Sequence, residues 1–167
     1  TDEFFITGAF DLSIKLPALP AGTYELCLGT TLYTYRYRPV VQFYLNDQPC
    51  GEPVDFNVTT SELGWISDEE MDTEEAVYQN DNLLYTQGWR KGLDFHYYYY
   101  FKYMYNKEQS LRNHNRAIRR IITTFTTDGK SEMYLRIKDQ TPNGDGRSQF
   151  VLDFLEFHPT HLLNEYK

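Results

Sequence analysis

The sequence predicts an all-β fold, an antiparallel β-sandwich of two sheets, and two observations carry this prediction. Short segments alternate apolar and polar residues along much of the chain, with the period of two that a half-buried strand requires. Clusters of Pro, Gly, Asn and Asp with turn chemistry separate most of these segments. Short strands at this spacing are typical of sandwiches and barrels.

Alternating segments fill the first third of the chain. We predict strands at residues 11–16, 23–30, 33–38, 40–46 and 49–56. The second strand is expected to point Tyr24, Leu26 and Leu28 inward and to bury Cys27 as a small thiol. The Asn-Asp-Gln sequence at 46–48 predicts the tight turn between the last two strands.

Residues 59–92 are the least regular part and are interpreted as one long insertion across an end or an edge of the sandwich. Ser67 followed by Glu70 matches a capping box, so a short helix is expected here. We expect helical structure to stay between Thr59 and Tyr78. Residues that bind ligands tend to lie on such insertions.

Three consecutive strands are predicted in the last third, at residues 117–126, 133–138 and 150–157. Because Asp128-Gly129 is a strong hairpin signal, these strands are expected to form a meander. The last of them is apolar on both faces apart from Asp153 and Glu156, which is typical of a central strand.

Residues 95–105, FHYYYYFKYMY, are aromatic at eight of eleven positions. Read as a single strand, every second residue from Phe95 to Tyr105 falls on one wholly aromatic face, which we expect to be the more buried one. The other face carries Tyr98 and Tyr100 among polar neighbours. Two interpretations stay open: a strand or loop packed on the core, or a surface on which a ring-shaped ligand stacks.

The length of 167 residues suits one domain, residues 1–167, with the sandwich core at about 11–159 and the insertion at about 59–92. The net charge of −8 disfavours non-specific binding to nucleic acid. No apolar run approaches the ~20 residues of a membrane-spanning helix, so no membrane insertion by this domain is expected. We expect the chain, which starts at Thr1 without a signal peptide, to be one domain of a longer surface protein.

Four motifs occur in a familiar order. They are PALPAGTYELCLG, VVQFYLNDQPCGEPVDF, the pair IRRIITTF and MYLRIK, and the closing FVLDFLEFHP. In this order the chain resembles galactose-binding-like jelly-roll sandwiches of the family 6 and family 35 carbohydrate-binding-module type. It resembles more closely the sandwich domain that accompanies fasciclin-type domains in bacterial surface lipoproteins. In that group an N-D…G-[YW]-x-K-G stretch precedes the Arg-rich strand, and here Asn80-Asp81 precede Gly88-Trp89-Arg90-Lys91-Gly92.

The resemblance implies a non-catalytic binding or adhesion module of the cell surface, anchored to the outer membrane in the full-length protein. Its expected partners are a glycan or a cell-surface protein, and a neighbouring domain of the same chain. A structural sandwich that docks a neighbouring domain or a partner protein is the first alternative. A small glycoside hydrolase-like enzyme is the second.

A glycan site needs flat apolar surfaces for the C–H faces of sugars and planar polar groups for the hydroxyls. The candidate residues with this chemistry are Trp89, Tyr98, Tyr100, Asn80, Asp81 and Arg90. For Trp89 the competing interpretation is a structural indole that closes one end of the sandwich.

Cofactors are not expected. Asp139, Asn143 and Asp145 offer oxygen ligands near a Gly-rich turn, so calcium is an alternative to a plain turn, although the full EF-hand pattern is missing. No Cys/His set has the spacing of a zinc site. No catalytic residues are assigned, since the chain holds none of the common hydrolase motifs.

Overall fold

The computed structural model of the chain describes residues 3–32, 37–94, 96–101, 104–142 and 148–163, and gives the backbone alone for 96–101 and 104–109. The strands in these residues are β1 (Phe4–Thr7), β2 (Asp11–Lys15), β3 (Gly22–Thr31), β4 (Val40–Leu45), β5 (Gln48–Pro49), β6 (Val54–Asp55), β7 (Trp89–Lys91), β8 (His96–Phe101), β9 (Met104–Ser110), β10 (Ala117–Thr127), β11 (Tyr134–Asp139), β12 (Gln149–Leu152) and β13 (Phe154–Pro159). The helices are α1 (Glu74–Thr86) and α2 (Thr160–Leu163).

The strands form an antiparallel two-sheet sandwich, which confirms the predicted fold class. The four-stranded sheet has the order β13-β3-β10-β7. The five-stranded sheet has the order β2-β11-β4-β5, with β6 also paired to β4. Two small antiparallel pairs, β1-β12 and β8-β9, complete the strand pairing of the described residues.

One apolar core joins the two large sheets. Leu26 and Leu28 of β3 are fully buried, as are Leu135 and Ile137 of β11 on the opposite sheet. Phe56 links the layers through edge-on ring contacts, 6.2 Å from Phe43 of β4 and 5.7 Å from Trp89 of β7 between centroids. Edge-to-face pairs at this distance stabilise a core beyond their buried area.

The predicted turn at 46–48 is confirmed. Asn46 and Asp47 have φ of 46° and 64°, and they connect β4 to its antiparallel partner β5. Positive φ at both central residues matches the right-handed twist of the two strands. Asn and Asp tolerate this left-handed conformation better than other residues with side chains.

The predicted C-terminal meander is wrong, because consecutive strands join different sheets. β10 pairs with β3 and β7, whereas β11 pairs with β2 and β4. The turn itself forms: Gly129 has φ of 77°, and the Asp128 carboxylate accepts the N–H groups of Lys130 and Ser131. Turn chemistry thus sets the local reversal, but burial of Leu135 and Ile137 selects the opposite sheet for β11.

The predicted central strand at 150–157 is also divided. β12 pairs with β1, and β13 forms an edge of the four-stranded sheet. The division falls at Asp153, whose N–H donates to the Gly29 carbonyl at 2.9 Å. The interior strands of this sheet are β3 and β10 instead, and β3 is buried on both faces from Tyr24 to Thr30.

Helical structure extends beyond the predicted limits. A 3-10 turn at Asp68–Glu70 lies where a short helix is expected, but Ser67 donates to the Asn113 side chain and forms no capping box. Helix α1 starts later, capped by the Thr73 hydroxyl that accepts the Ala76 N–H, and runs past Tyr78 to Thr86. Its start shows the expected chemistry, a Thr N-cap followed by acidic residues. No helix of the described residues is long and apolar enough to cross a membrane.

The aromatic stretch 95–105 spans two strands rather than one. β8 ends at Phe101, and Met104 of β9 is its antiparallel partner. The extended backbone of 96–101 agrees with the predicted strand, but Met104 and Tyr105 belong to the returning strand, so the two predicted faces are not continuous. The burial predicted for these side chains lies outside the described residues.

Candidate functional site

Trp89, the first candidate for sugar stacking, lies in the core. Its side chain is 3% exposed, and its ring contacts Phe56 edge-on. The Arg120 guanidinium lies 5.2 Å from the ring centroid. A sugar has no exposed ring face to stack on here, so this candidate needs correction, and the packing agrees with the structural interpretation of Trp89.

Arg90 and Asn80 serve internal contacts. Arg90 donates through Nε and Nη2 to the two carboxylate oxygens of Glu25, at 2.8 and 3.2 Å. Asn80 is buried, accepts the Ile66 N–H and donates to the Gly64 carbonyl at 2.8 Å. Arg90 thus ties β7 to β3, and Asn80 holds the loop before α1 against the helix.

Asp81 belongs to a partly buried charge cluster of Asp68, Asp81, Lys91 and Arg112, here called the insertion cluster. Lys91, with a fully buried side chain, places Nζ 2.7 Å from Asp68 and 3.9 Å from Asp81. Arg112 donates to both carboxylates, at 2.6 Å to Asp68 and 2.9 Å to Asp81. The cluster therefore connects the 3-10 turn and α1 to β7 and to the segment after β9.

The electrostatics of the insertion cluster favour its charged form. Burial raises the pKa of the Asp68 carboxyl, but the hydrogen bonds from Arg112 and Lys91 outweigh this effect and hold that pKa below its usual value. Asp68 thus stays ionised between its two cationic partners. The ion pairs make the cluster a structural attachment, in which Lys91 is buried and the Asp81 side chain is 39% exposed.

The remaining candidate residues are the two tyrosines of β8 and the three possible calcium ligands. Tyr98 and Tyr100 are in β8, where the backbone alone is described. Asp139, at the end of β11, accepts the Thr141 N–H at 2.9 Å and its hydroxyl at 2.5 Å, as in a plain Asx turn. Asn143 and Asp145 lie outside the described residues, so the calcium alternative stays a prediction.

An open groove of about 300 Å³ lies at one end of the five-stranded sheet, and we call it the end groove. Its described lining is Tyr37, Arg38, Val40, Asp55, Asn57, Thr141, Pro142 and Ser148. These residues come from three separate segments, at the start of β4, at the end of β6 and between β11 and β12. Sequence inspection did not find this groove.

Backbone hydrogen bonds hold the rim of the end groove together. Val40 pairs with Asp55 across β4 and β6, and its carbonyl accepts the Gln140 N–H at 2.8 Å. The Tyr37 carbonyl accepts the Gln149 N–H at 2.8 Å. These bonds hold the three backbone segments that carry the groove side chains next to one another.

The groove combines an exposed aromatic ring with planar polar groups. Tyr37 is 60% exposed, and Asp55 and Asn57 are exposed as well. The Asp55 carboxylate accepts the Asn57 N–H at 2.8 Å, which places these two polar residues side by side. Arg38 is buried and donates to the Gln149 carbonyl at 2.9 Å.

A second polar cluster lies on the outer face of the four-stranded sheet and is here called the outer-face cluster. It contains Glu25, Cys27, Arg90, Arg119, Glu156 and His158. Cys27 donates to Glu25 at 3.3 Å, and His158 Nε2 lies 2.8 Å from Glu156 Oε1. Burial and the negative charge of Glu25 raise the pKa of the Cys27 thiol.

The end groove and the outer-face cluster cannot be recognised in the sequence, and the reason is the same for both. Their residues are far apart in the chain and meet through strand pairing, so local spacing does not reveal them. The nearest sequence signal for the end groove is the group of Asp, Asn and Pro residues at strand ends. For the outer-face cluster it is the pattern Glu-x-Cys in one strand and Glu-x-His in another.

Comparison with known proteins gives no match, either to a family model or to a curated protein. The resemblance to galactose-binding-like modules therefore stays an interpretation of the sequence motifs. A shared sandwich does not specify a ligand.

Proposed function

We propose that the protein is a non-catalytic binding module of a cell-surface protein that binds a glycan in the end groove. The observation that carries this proposal is the exposed Tyr37 ring beside the exposed Asp55 carboxylate and Asn57 amide. An aromatic ring stacks on the C–H face of a sugar, and planar polar groups hydrogen-bond its hydroxyls.

The shape of the site favours a short oligosaccharide over a buried small molecule. The groove holds about 300 Å³, at the lower end of the range for ligand sites, and it is open to solvent. Its polar lining suits a ligand that keeps many hydroxyl groups hydrated at its outer side. The resemblance to carbohydrate-binding modules supports the same ligand class and a location at the cell surface.

The single carboxylate of the described groove lining supports a binding role rather than hydrolysis. Glycoside hydrolysis uses two carboxyl groups that flank the bond to be cleaved. Asp55 is the one carboxylate in the part of the groove lining that the structure describes. A single carboxylate can accept hydrogen bonds from sugar hydroxyls, but it does not supply the pair of carboxyl groups that hydrolysis uses.

The test starts with a glycan array and continues with calorimetric titration of any glycan that binds. We expect Tyr37→Ala to weaken binding about tenfold, since losing one aromatic stack costs roughly 1–1.5 kcal/mol. Asn57→Ala should weaken binding through the loss of hydrogen bonds. The matched control is Tyr78→Ala, which removes an exposed tyrosine of α1 outside the groove lining and should leave affinity unchanged.

Two outcomes would contradict the proposal. The first is a parent protein that binds no glycan on the array. The second is a folded Tyr37→Ala variant that binds as tightly as the parent and as the Tyr78→Ala control.

A partner-docking function is the second candidate, and the β8–β9 hairpin favours it. This two-stranded pair joins neither large sheet, although its first strand carries four consecutive tyrosines from Tyr97 to Tyr100. Tyrosine is enriched in protein interfaces. A variant with a short Gly-Ser linker in place of the hairpin should keep glycan binding and lose the partner. Loss of glycan binding in this variant, with the fold intact, would instead place the glycan site on the hairpin.

A further inference from the structure

Strand pairing brings three metal-ligand types together on the outer face of the four-stranded sheet. In the β13–β3 register, Glu156 is the partner of Cys27, and His158 is the partner of Glu25. Residues directly opposite each other, and their neighbours two positions along, share one face of a sheet. The Cys27 thiol, the Glu156 carboxylate and the His158 imidazole place ligand atoms within 4.8 Å of one another.

We propose that Cys27, Glu156 and His158 form a site for one transition-metal ion, with Zn²⁺ as the expected metal. Thiolate, imidazole and carboxylate are the three ligand types that zinc uses in proteins. A thiolate together with an imidazole disfavours Ca²⁺ and Mg²⁺, which prefer oxygen ligands alone.

Metal binding requires the three ligand atoms, which lie within 4.8 Å of one another, to move by up to about 1.2 Å. With Zn–S near 2.3 Å and Zn–N or Zn–O near 2.0–2.1 Å, tetrahedral ligand atoms lie about 3.3–3.6 Å apart. His158 Nε2 and Glu156 Oε1 are 2.8 Å apart, so this pair needs to open by about half an ångström, within the reach of side-chain rotation. The fourth position is available to water, as in zinc sites with three protein ligands.

The two arginines of the outer-face cluster bond the carboxylates beside the proposed ligand atoms. Arg119 donates to Glu156 Oε2 at 2.9 Å, whereas Oε1 faces His158; its Nη1 also lies 3.5 Å from His158 Nε2, so this guanidinium must move away from the ring nitrogen when a metal binds. Arg90 bonds both oxygens of Glu25 and so holds that carboxylate in place beside the thiol. Such fixed outer partners orient the ligands and balance the negative charge around a metal.

The metal ion can reach the site from the solvent, and it replaces the proton of the thiol when it binds. Cys27 is fully buried, but the side chains of Glu156 and His158 are 18% and 26% exposed on the edge strand β13. The metal can therefore enter from this edge. On coordination, the Cys27 S–H bond breaks, an S–metal bond forms, and the proton passes to the solvent.

The test is a Co²⁺ titration of the whole chain followed by competition with Zn²⁺. We expect one equivalent of Co²⁺ to produce a thiolate-to-cobalt charge-transfer band, and Zn²⁺ to remove it. Cys27→Ser should abolish the band, and His158→Gln, on the half-exposed edge strand, should weaken binding at least tenfold. The matched controls Cys50→Ser and His161→Gln remove the other free cysteine and another histidine, and should leave the titration unchanged.

Absence of the band in the folded parent would overturn the proposal and leave the three side chains as a hydrogen-bonded cluster. Persistence of the band in Cys27→Ser, or its loss in Cys50→Ser, would also overturn it, because the thiolate ligand would then be Cys50. If Cys27→Ser fails to fold, the comparison of His158→Gln with His161→Gln decides: equal affinity for Co²⁺ would contradict the site. None of these outcomes depends on glycan binding.

Discussion

The geometry of the insertion cluster predicts that replacing Asp68 destabilises the protein more than replacing Lys91. Asp68 bonds both Lys91 and Arg112, whereas Lys91 has Asp68 at 2.7 Å and Asp81 only at 3.9 Å. Replacing Asp68 with Ala therefore leaves the fully buried Lys91 ammonium without a close partner. Replacing Lys91 with Met leaves Asp68 bonded to Arg112 and partly exposed to water.

The magnitudes follow from this difference in what each change leaves behind. Removing one member of a buried ion pair costs about 3–5 kcal/mol when the other charge remains uncompensated. We expect Asp68→Ala to fall in this range. We expect Lys91→Met to cost about 1–3 kcal/mol, since Asp68 keeps a charged partner and the Met side chain fills most of the Lys91 volume. The double variant should cost less than the sum, because the two residues are in direct contact.

Urea unfolding, followed by circular dichroism, measures the three free energies and their coupling. Native-state hydrogen exchange in α1 shows in the same variants whether the insertion opens before the sandwich. Equal costs for the two single variants, or a larger cost for Lys91→Met, would refute the reasoning. Additive single costs would show that the two charges do not interact.

Two further predictions concern Trp89 and pH. Trp89→Ala should lower the free energy of unfolding by about 3–5 kcal/mol, as large aromatic deletions in cores do. The melting temperature should therefore fall by roughly 6–20 °C. An unchanged melting temperature would show that the ring is not part of the core. Burial raises the pKa of Asp68, but the hydrogen bonds from Arg112 and Lys91 lower it by more than burial raises it. The pKa of Asp68 in the folded protein therefore lies below its unfolded value of about 3.9. The stability from this group is therefore present above about pH 4 and lost as pH falls through the folded pKa, and Asp68→Asn should show a shallower loss in acid urea titrations.

Strand pattern and turn chemistry were enough to predict the sandwich. The predicted positions of β3 and β4 and the positive-φ turn after Leu45 agree with the structure, although the burial of both strands is continuous rather than alternating. The pairing of the strands was harder to predict from the sequence. A turn such as Asp128-Gly129 specifies a local reversal of the chain, but it does not specify the sheet that the next strand joins. Helix α1 was underestimated because it buries only Asn80 and Leu84, which is too narrow a stripe to give a helical period.

The glycan site predicted from the sequence shows a similar limit, because residues that are close in sequence do not necessarily form a ligand site. Trp89, Asn80, Asp81 and Arg90 were grouped by their proximity in sequence, and the structure gives all four internal contacts. Planar polar and aromatic residues serve buried attachments as readily as ligands. Residue type alone could not separate these roles. The end groove unites segments about a hundred positions apart, from Tyr37 to Thr141, so it becomes visible only after the strands are paired.

The most direct test of the proposed function is a map of backbone amide shifts during titration with a glycan that the array identifies. The account predicts that the largest changes occur at residues 37–40, 54–57, 140–142 and 148–149, around the end groove. Changes confined to α1 and β7, around Asp81, Trp89 and Arg90, would contradict the account and return the glycan to the insertion.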